Sequence, residues 1–183
     1  MRSRVPLRPN PGYTLIELMT VIAVLSVALG IGIPGYASFS TKNKQTILQN
    51  TFATTLAQAR YQAISSNRQV VLCPSVNQKD CTGGFSWNPG YISFIDDNQN
   101  RQLDTDETYL SVIQPTDPNF KIQTSKGRQK ITFKPSGMAY GSNTTIRFCN
   151  DEKLPGTAII ISNTGRARSS KTLADGSPVT CNI

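Results

Sequence analysis

The chain has 183 residues, with 19 Lys and Arg against 11 Asp and Glu, no His, and a formal net charge of +8. Without His, Ser-His-Asp and Cys-His catalysis and every His-ligated zinc site are excluded. No nucleophile motif and no Gly-rich phosphate loop is present either, so neither an enzyme nor a cofactor is expected.

Eleven residues carrying Arg2, Arg4 and Arg8 and no acid precede Gly12. From Leu15 to Ile33 the chain is apolar, with Glu17 its one charge. As a helix that run is roughly 28 Å long, about one bilayer core. A secretory signal places its cleavage site after the apolar region. Here the small residue Gly12 stands before it, so a cut after Gly12 leaves the apolar helix on the mature chain, with Tyr13 as the new N-terminus. That free amine lies one helical turn from Glu17. A carboxylate at membrane depth needs a partner, and in an assembly of parallel helices the amine of a neighbouring subunit supplies it. An ordinary signal anchor, with Glu17 at the interface, is the alternative.

Pro34-Gly35 predicts a bend or a locally melted turn, and the helix resumes from Tyr36 to about Ser66. Leu48, Phe52, Leu56, Ala59 and Ala63 recur at helical spacing and mark a core-facing stripe. Lys42, Lys44, Gln49 and Gln58 suit the other side, and Asn67 is the stop. Short strands follow: Gln69–Cys73, Tyr91–Ile95 (buried on both faces), Tyr109–Ile113, Lys130–Phe133, Thr145–Cys149 and Ala158–Ser162. One long helix followed by strands predicts an α+β fold, with an antiparallel sheet against the helix. The expected organisation is a leader over 1–12, a helix over 13–66 whose 13–35 part is the transmembrane and assembly segment, and a globular β domain over 67–183.

Cys73, Cys81, Cys149 and Cys181 are even in number, and with export implied by the leader they read as two disulfides. Three pairings are possible. Cys73–Cys81 would close a short loop, and Cys149–Cys181 would tie the C-terminal tail to a strand. A four-cysteine zinc site is the alternative, but it lacks any C-x-x-C.

Two segments could carry chemistry. Counted from Asp96, oxygen ligands at Asp96, Asn98, Asn100 and Asp104, with Glu107 at position 12, follow the spacing of a calcium loop. Arg101 stands where that loop wants Gly, and its flanks are strands; an acidic turn built by Asp and Asn is the plainer reading, and no metal is expected. The second segment is basic. Lys121, Lys126, Arg128, Lys130, Lys134, Arg147, Lys153, Arg166, Arg168 and Lys171 are opposed only by Asp151 and Glu152. Within it, Gly165-Arg166-Ala167-Arg168-Ser169-Ser170-Lys171 enters a Ser-rich, mobile loop closed by Cys181. Small residues there let the backbone approach a ligand. Arginine forks onto phosphate oxygens, and Ser169, Ser170 and Lys171 add donors. Few aromatics flank the segment, so binding is expected to be backbone-directed and sequence-tolerant.

Gly12-Tyr13-Thr14-Leu15-Ile16-Glu17-Leu18 resembles the processing motif of type IV prepilins and pseudopilins, with Tyr13 where Phe is usual and Pro11 where a basic residue is usual. The resemblance implies cleavage after Gly12 by a prepilin peptidase, N-methylation of Tyr13, and a Glu17 that guides assembly. It also implies a pilin fold: a long transmembrane helix packed on an antiparallel, sandwich-like β domain. The segments Ala59-Arg60-Tyr61-Gln62-Ala63-Ile64, Val70-Val71-Leu72-Cys73 and Gly90-Tyr91-Ile92-Ser93-Phe94-Ile95-Asp96-Asp97-Asn98 resemble the FimT/GspH group of minor pilins and pseudopilins. Gly165, Arg166 and Arg168 match the G-R-x-R motif of FimT-type pilins that bind DNA during natural transformation. The expected partners are therefore double-stranded DNA, other pilins, the peptidase and the inner membrane, with the β domain in the periplasm and later on a pilus. The alternative is a structural minor pilin priming assembly, or a GspH-type pseudopilin of type II secretion, without DNA binding.

Overall fold

The structure is a computed structural model that describes residues 12–114, 117–125, 127–150 and 155–181, without the side chains of 31–34 and 37. The leader up to Pro11, and Lys126, Asp151, Glu152 and Lys153 of the basic third, lie outside the described residues. The chain forms two compact units, Met1–Thr41 and Lys42–Ile183. Helix α1 covers Leu15–Ser66. The strands are β1 (Gln69–Pro74), β2 (Tyr91–Asp96), β3 (Tyr109–Ile113), β4 (Phe120–Gln123), β5 (Ile131–Phe133), β6 (Thr144–Asn150), β7 (Thr157–Ile161) and β8 (Ala167–Ser170). They make two antiparallel four-stranded sheets, ordered β3-β2-β1-β5 and β4-β6-β7-β8.

In the first unit, Thr14 and Glu17 start the helix with a reciprocal cap. The Glu17 N–H donates to Thr14 Oγ1 at 3.3 Å, and the Thr14 N–H donates to Glu17 Oε2 at 3.4 Å. This is a capping box, which satisfies two of the helix's otherwise unpaired donors. Leu15, Ile16, Leu18, Val21 and Val24 are all more than half exposed. Among the described residues no helix is long and apolar enough to cross a membrane; the side chains of 31–34, at the end of the expected Leu15–Ile33 span, lie outside them. The helix continues through Pro34 and Gly35, so the expected melted turn is absent. Proline removes one backbone donor, and one missing bond does not end a helix continued on both sides.

In the second unit, the predicted stripe is the helix's core face. Phe52, Leu56, Ala59 and Ala63 are buried, and Leu48 packs against them. The Phe52 ring lies 4.8 Å from Tyr91 of β2, 5.7 Å from Phe148 of β6 and 5.4 Å from Trp87. One side chain thus touches both sheets. Trp87 sits in the β1–β2 connection, where its N–H donates to Ile122 O at 2.8 Å and its ring N–H to Thr124 Oγ1 at 3.3 Å. Gln49, expected on the solvent side, instead donates to Ala158 O of β7 at 3.1 Å, and buried Gln45 donates to Phe148 O at 3.1 Å. Both amides cap sheet carbonyls that the packed helix shields from water. Asn67 ends the helix in the left-handed region at φ 53°, as a C-cap residue does.

Strands β1 and β2 are buried at every position. Val70, Leu72, Tyr91 and Ile95 join the helix core, while Val71, Cys73, Ile92 and Phe94 form a second cluster with Cys81 and Leu103. The cysteines pair as Cys73–Cys81 and Cys149–Cys181, the latter 32 residues apart in sequence. Two strands escaped the sequence reading. Strand β4 is four residues long, and β8 holds no side chain larger than alanine that could signal burial.

On the chain-entropy model, the Cys149–Cys181 link contributes about 3.7 kcal/mol and the shorter Cys73–Cys81 link about 2.5 kcal/mol. Thermal unfolding of paired Cys→Ser variants is expected to show the larger loss for Cys149/Cys181. Burial pushes the Tyr91 phenol up to about 12, against a smaller opposing effect of its hydrogen bond with Thr55. The folded chain therefore holds a proton that the unfolded chain releases above pH 10. The stability tied to neutral Tyr91, roughly 2–3 kcal/mol, is present below pH 10 and is lost as pH rises towards 12. Denaturant midpoints measured from pH 9 to 12 should fall along this window, and the fall should flatten in Tyr91→Phe.

Candidate nucleic-acid interface

The basic segment is not the mobile loop that its Ser-rich composition predicts. The Gly165 N–H donates to Ser162 O at 2.9 Å, and the Ser162 N–H to Arg166 O at 3.1 Å, closing a tight turn after β7. Strand β8 then pairs back along β7: Ala167 with Ile161, Arg168 with Ile160, Ser169 with Ile159 and Ser170 with Ala158. The apolar β7, anchored by buried Ile159 and Ile161, templates a partner whose own sequence has little strand preference. Side chains alternate along a strand. Ala167 packs against the core, so Arg166 and Arg168 share the opposite face, and both are exposed.

The glycine of the motif has a packing role. Gly165 has φ 76°, and a Cβ there would stand 2.0 Å from the Gly137 carbonyl oxygen. Gly137, itself at φ 75°, meets Ile64 of the helix in the same way. Arg60 stitches the contact. Its Nε donates to Gly137 O at 3.0 Å and its Nη2 to Thr164 O at 3.3 Å. The Ala139 N–H adds a bond to Asn163 O at 3.0 Å. A groove of about 190 Å³ remains between helix and strand, with Ala53, Ala57, Arg60, Ala167 and Ser169 among its walls. Arg60 is the residue that sequence reasoning missed. It stands in the Ala59–Ile64 segment, but helical spacing alone gives no sign of which carbonyls it will meet.

Much of the basic third is used internally. Arg128 donates to Gly141 O at 2.8 Å and Asn143 Oδ1 at 3.3 Å. Lys130 donates to Arg101 O, and burial, then Arg101, hold its amine below the ordinary lysine value despite the opposing pull of Asp96. Arg147 is half-buried; it helps to lower the Asp175 carboxyl, whose main stabilisers are the Ser177 hydroxyl and N–H. Asp175 belongs to the tail, which folds back through a Leu173–Ser177 backbone bond and ends in the Cys181 disulfide. Outside this third, Lys44 pairs with Asp117, and Arg68 with Asp97. Among the described residues, the side chains of Arg166, Arg168 and Lys171 make no hydrogen bond or ion pair. These three cations therefore stand close together, just before, on and just past β8; exposed Lys134 also makes no side-chain hydrogen bond or ion pair. Ser169 is exposed beside them, and Ser170 Oγ accepts the Thr172 N–H at 3.2 Å.

The oxygens with calcium-loop spacing are engaged by donors of the loop itself. Asp96 is buried and accepts from the Asn100 N–H at 3.1 Å, the Arg101 N–H at 3.0 Å and Gln69 Nε2 at 2.7 Å. Glu107 accepts from the Asp97 N–H at 3.0 Å and the Asp104 N–H at 3.2 Å. Asn98 and Asn100 each donate a side-chain amide to Asp104 at 2.7 Å. The loop closes on its own donors, and among the described residues no group of three acidic or thiol side chains gathers as a metal site would need. Burial, with Asp96 and Asp104 nearby, raises the Glu107 carboxyl, while its two backbone donors pull it down.

At the other end, Tyr13 is 90% exposed beside the Thr14–Glu17 cap. The cap holds the carboxylate within the first turn, on the same end as the residue that cleavage would leave first.

Sequence comparison matches residues 48–165 to the family described as type II transport protein GspH, and residues 7–33 to the prokaryotic N-terminal methylation motif. The pilin-like protein PilA1 of Thermus thermophilus is 33% identical over 100 residues, which cover 54% of this chain and 56% of that protein. The chain thus matches about half the length of that curated relative. The type IV minor pilin FimU of Pseudomonas aeruginosa has the same fold in two crystal forms. One superposes with a TM-score of 0.55 at 15% identity over 79% of this chain and 99% of FimU, the other at 0.52 and 16% over 77% and 99%.

The interlock predicts a specific cost. Gly165→Ala combines a left-handed backbone with a Cβ against a carbonyl, roughly 2–4 kcal/mol together. Gly176 has φ 86° but open space around it, so Gly176→Ala should cost only the backbone part. Melting curves of the two variants are expected to differ by several degrees, with Gly165→Ala the lower.

Proposed function

This chain belongs to the GspH family and is a minor type IV pilin or pseudopilin; we propose that, as a pilin, it binds DNA through the β8 arginines during natural transformation. One observation carries the reading: Arg166, Arg168 and Lys171 stand unpaired along one short edge, while Arg60, Arg128 and Lys130 are engaged elsewhere. Free guanidinium groups at two-residue spacing suit successive phosphates, and Ser169 and Ser170 stand between them and Lys171. Contacts of this kind read the DNA backbone rather than its bases, so duplex DNA of any sequence would serve. Three contacts give modest affinity per subunit, and several subunits along a filament would supply avidity.

In the same reading, the apolar segment holds the chain in the inner membrane with its β domain in the periplasm until a prepilin peptidase cuts after Gly12. Glu17 then meets the Tyr13 amine of another pilin as the subunit enters the pilus. The match to GspH and the fold of FimU are equally served by a structural subunit that primes assembly or secretion. The DNA test separates the two.

Fluorescence anisotropy of the full chain in detergent micelles, titrated against labelled duplex DNA, should give log affinity falling with log salt at a slope near −3. Arg166→Ala with Arg168→Ala is expected to weaken binding about tenfold or more at 50 mM salt and to bring the slope near −1. Unchanged binding in that variant removes β8 as the site, and absence of binding at low salt leaves the structural role.

A further inference from the structure

The sequence offers few aromatics beside the arginines, but the fold brings one to them. Ala139 and Ser142 are buried, and the Ser142 N–H donates to Ala139 O at 2.8 Å. With Gly141 at φ 78°, this is a tight turn with Tyr140 and Gly141 at its apex. The turn is pinned from both sides. The Ala139 N–H bonds to Asn163 O at 3.0 Å, in the turn that leads into Arg166. On the other side, Arg128 Nη1 bonds to Gly141 O at 2.8 Å. Tyr140 is nevertheless 68% exposed, and Met138 beside it is 40% exposed. A large exposed ring thus stands on a turn whose backbone is bonded to Arg128 on one side and, on the other, to the turn that precedes Arg166 and Arg168.

Resting on the DNA-binding reading above, we propose that Tyr140 is a base-stacking platform, and that this pilin prefers DNA with unpaired bases to a closed duplex. A neighbouring protein that covered this apolar ring and reached the free arginines past the adjoining turn would have to desolvate those charges, which is costly. A nucleic-acid strand offers phosphates to the cations and a π face to the ring, and stacking of this kind tolerates every base. The path from Asn163 to Arg168 is short, so the ring and the guanidinium groups lie within roughly two or three nucleotides of each other. In a closed duplex the bases stack on one another, so Tyr140 gains nothing and only the phosphate contacts remain. Single-stranded stretches, such as frayed ends, make both.

The test compares a labelled oligothymidine with a duplex of equal length, using the full chain in detergent micelles. Wild type, Tyr140→Ala, Tyr140→Phe and the double variant Arg166→Ala with Arg168→Ala are titrated in parallel. Tyr140→Ala should weaken oligothymidine binding roughly tenfold while leaving the duplex affinity and the salt slope unchanged, and Tyr140→Phe should bind as wild type. Losing the arginines should weaken both ligands. If Tyr140→Ala changes neither ligand, or both alike, while the arginine variant weakens both, the stacking role is overturned and the phosphate-binding role stands. If wild type binds neither DNA at low salt, both fall.

Discussion

The insertion of Phe52 between the sheets is the contact on which the β domain depends. A two-sheet fold needs something apolar on the inner face of each sheet. Here one ring meets Tyr91 of β2, Phe148 of β6 and Trp87 of the β1–β2 connection. Leu56, Ala59 and Ala63 continue the same face, and the residues shrink towards the helix end. Small side chains there let the sheet turns approach the helix. That is why Gly137 comes within a Cβ's reach of Ile64, and why Arg60 finds two carbonyls in front of it.

From that approach follows the character of the β8 edge. The hairpin turn is docked against a second turn and stitched to the helix, so the arginines project from a backbone already ordered. A loop of the same composition would lose its freedom on binding a ligand. The strand has lost it on folding, supported by core contacts that do not involve the arginines. The guanidinium groups keep their own torsional freedom, which suits a ligand whose phosphates are regularly spaced but not fixed in sequence.

Much of this was legible in the residues, and the failures have physical causes. The stripe from Leu48 to Ala63 announced the helix's core face, and the poor alternation at 91–95 announced a strand covered on both sides, while 69–73 was legible only as a strand. Strand β8 was illegible because its pairing comes from β7, and Arg-Ala-Arg-Ser-Ser carries no hydrophobic alternation of its own. The acidic segment was open to two readings, a calcium loop and, more plainly, an acidic turn. Its oxygen spacing suits calcium, but Asp96 and Glu107 spend those oxygens on backbone N–H groups across a two-strand connection. The motif Gly165-Arg166-Ala167-Arg168 was visible as a string, yet the reason for its glycine lay far along the chain at Gly137, which no local pattern reveals. Tyr140 was invisible for the same reason: the turn that carries it is held by Asn163, just past β7, and by Arg128.

The placement of charge on β8 has a second physical consequence that any account of its function must separate from ligand binding. An edge strand offers unpaired backbone groups to other sheets, and charged side chains keep such edges from pairing. Arg166 and Arg168 would protect this edge in a protein that never met DNA. Edge protection needs only positive charge, so lysine would serve as well as arginine. Phosphate recognition uses the flat fork of the guanidinium, with donors that match two oxygens at once. Edge protection also asks nothing of Lys171, which stands beyond the last paired residue, nor of an exposed ring on a neighbouring turn. Three cations in the same region, Arg60, Arg128 and Lys130, are bound to carbonyls, so edge protection alone does not account for the groups that remain free around β8.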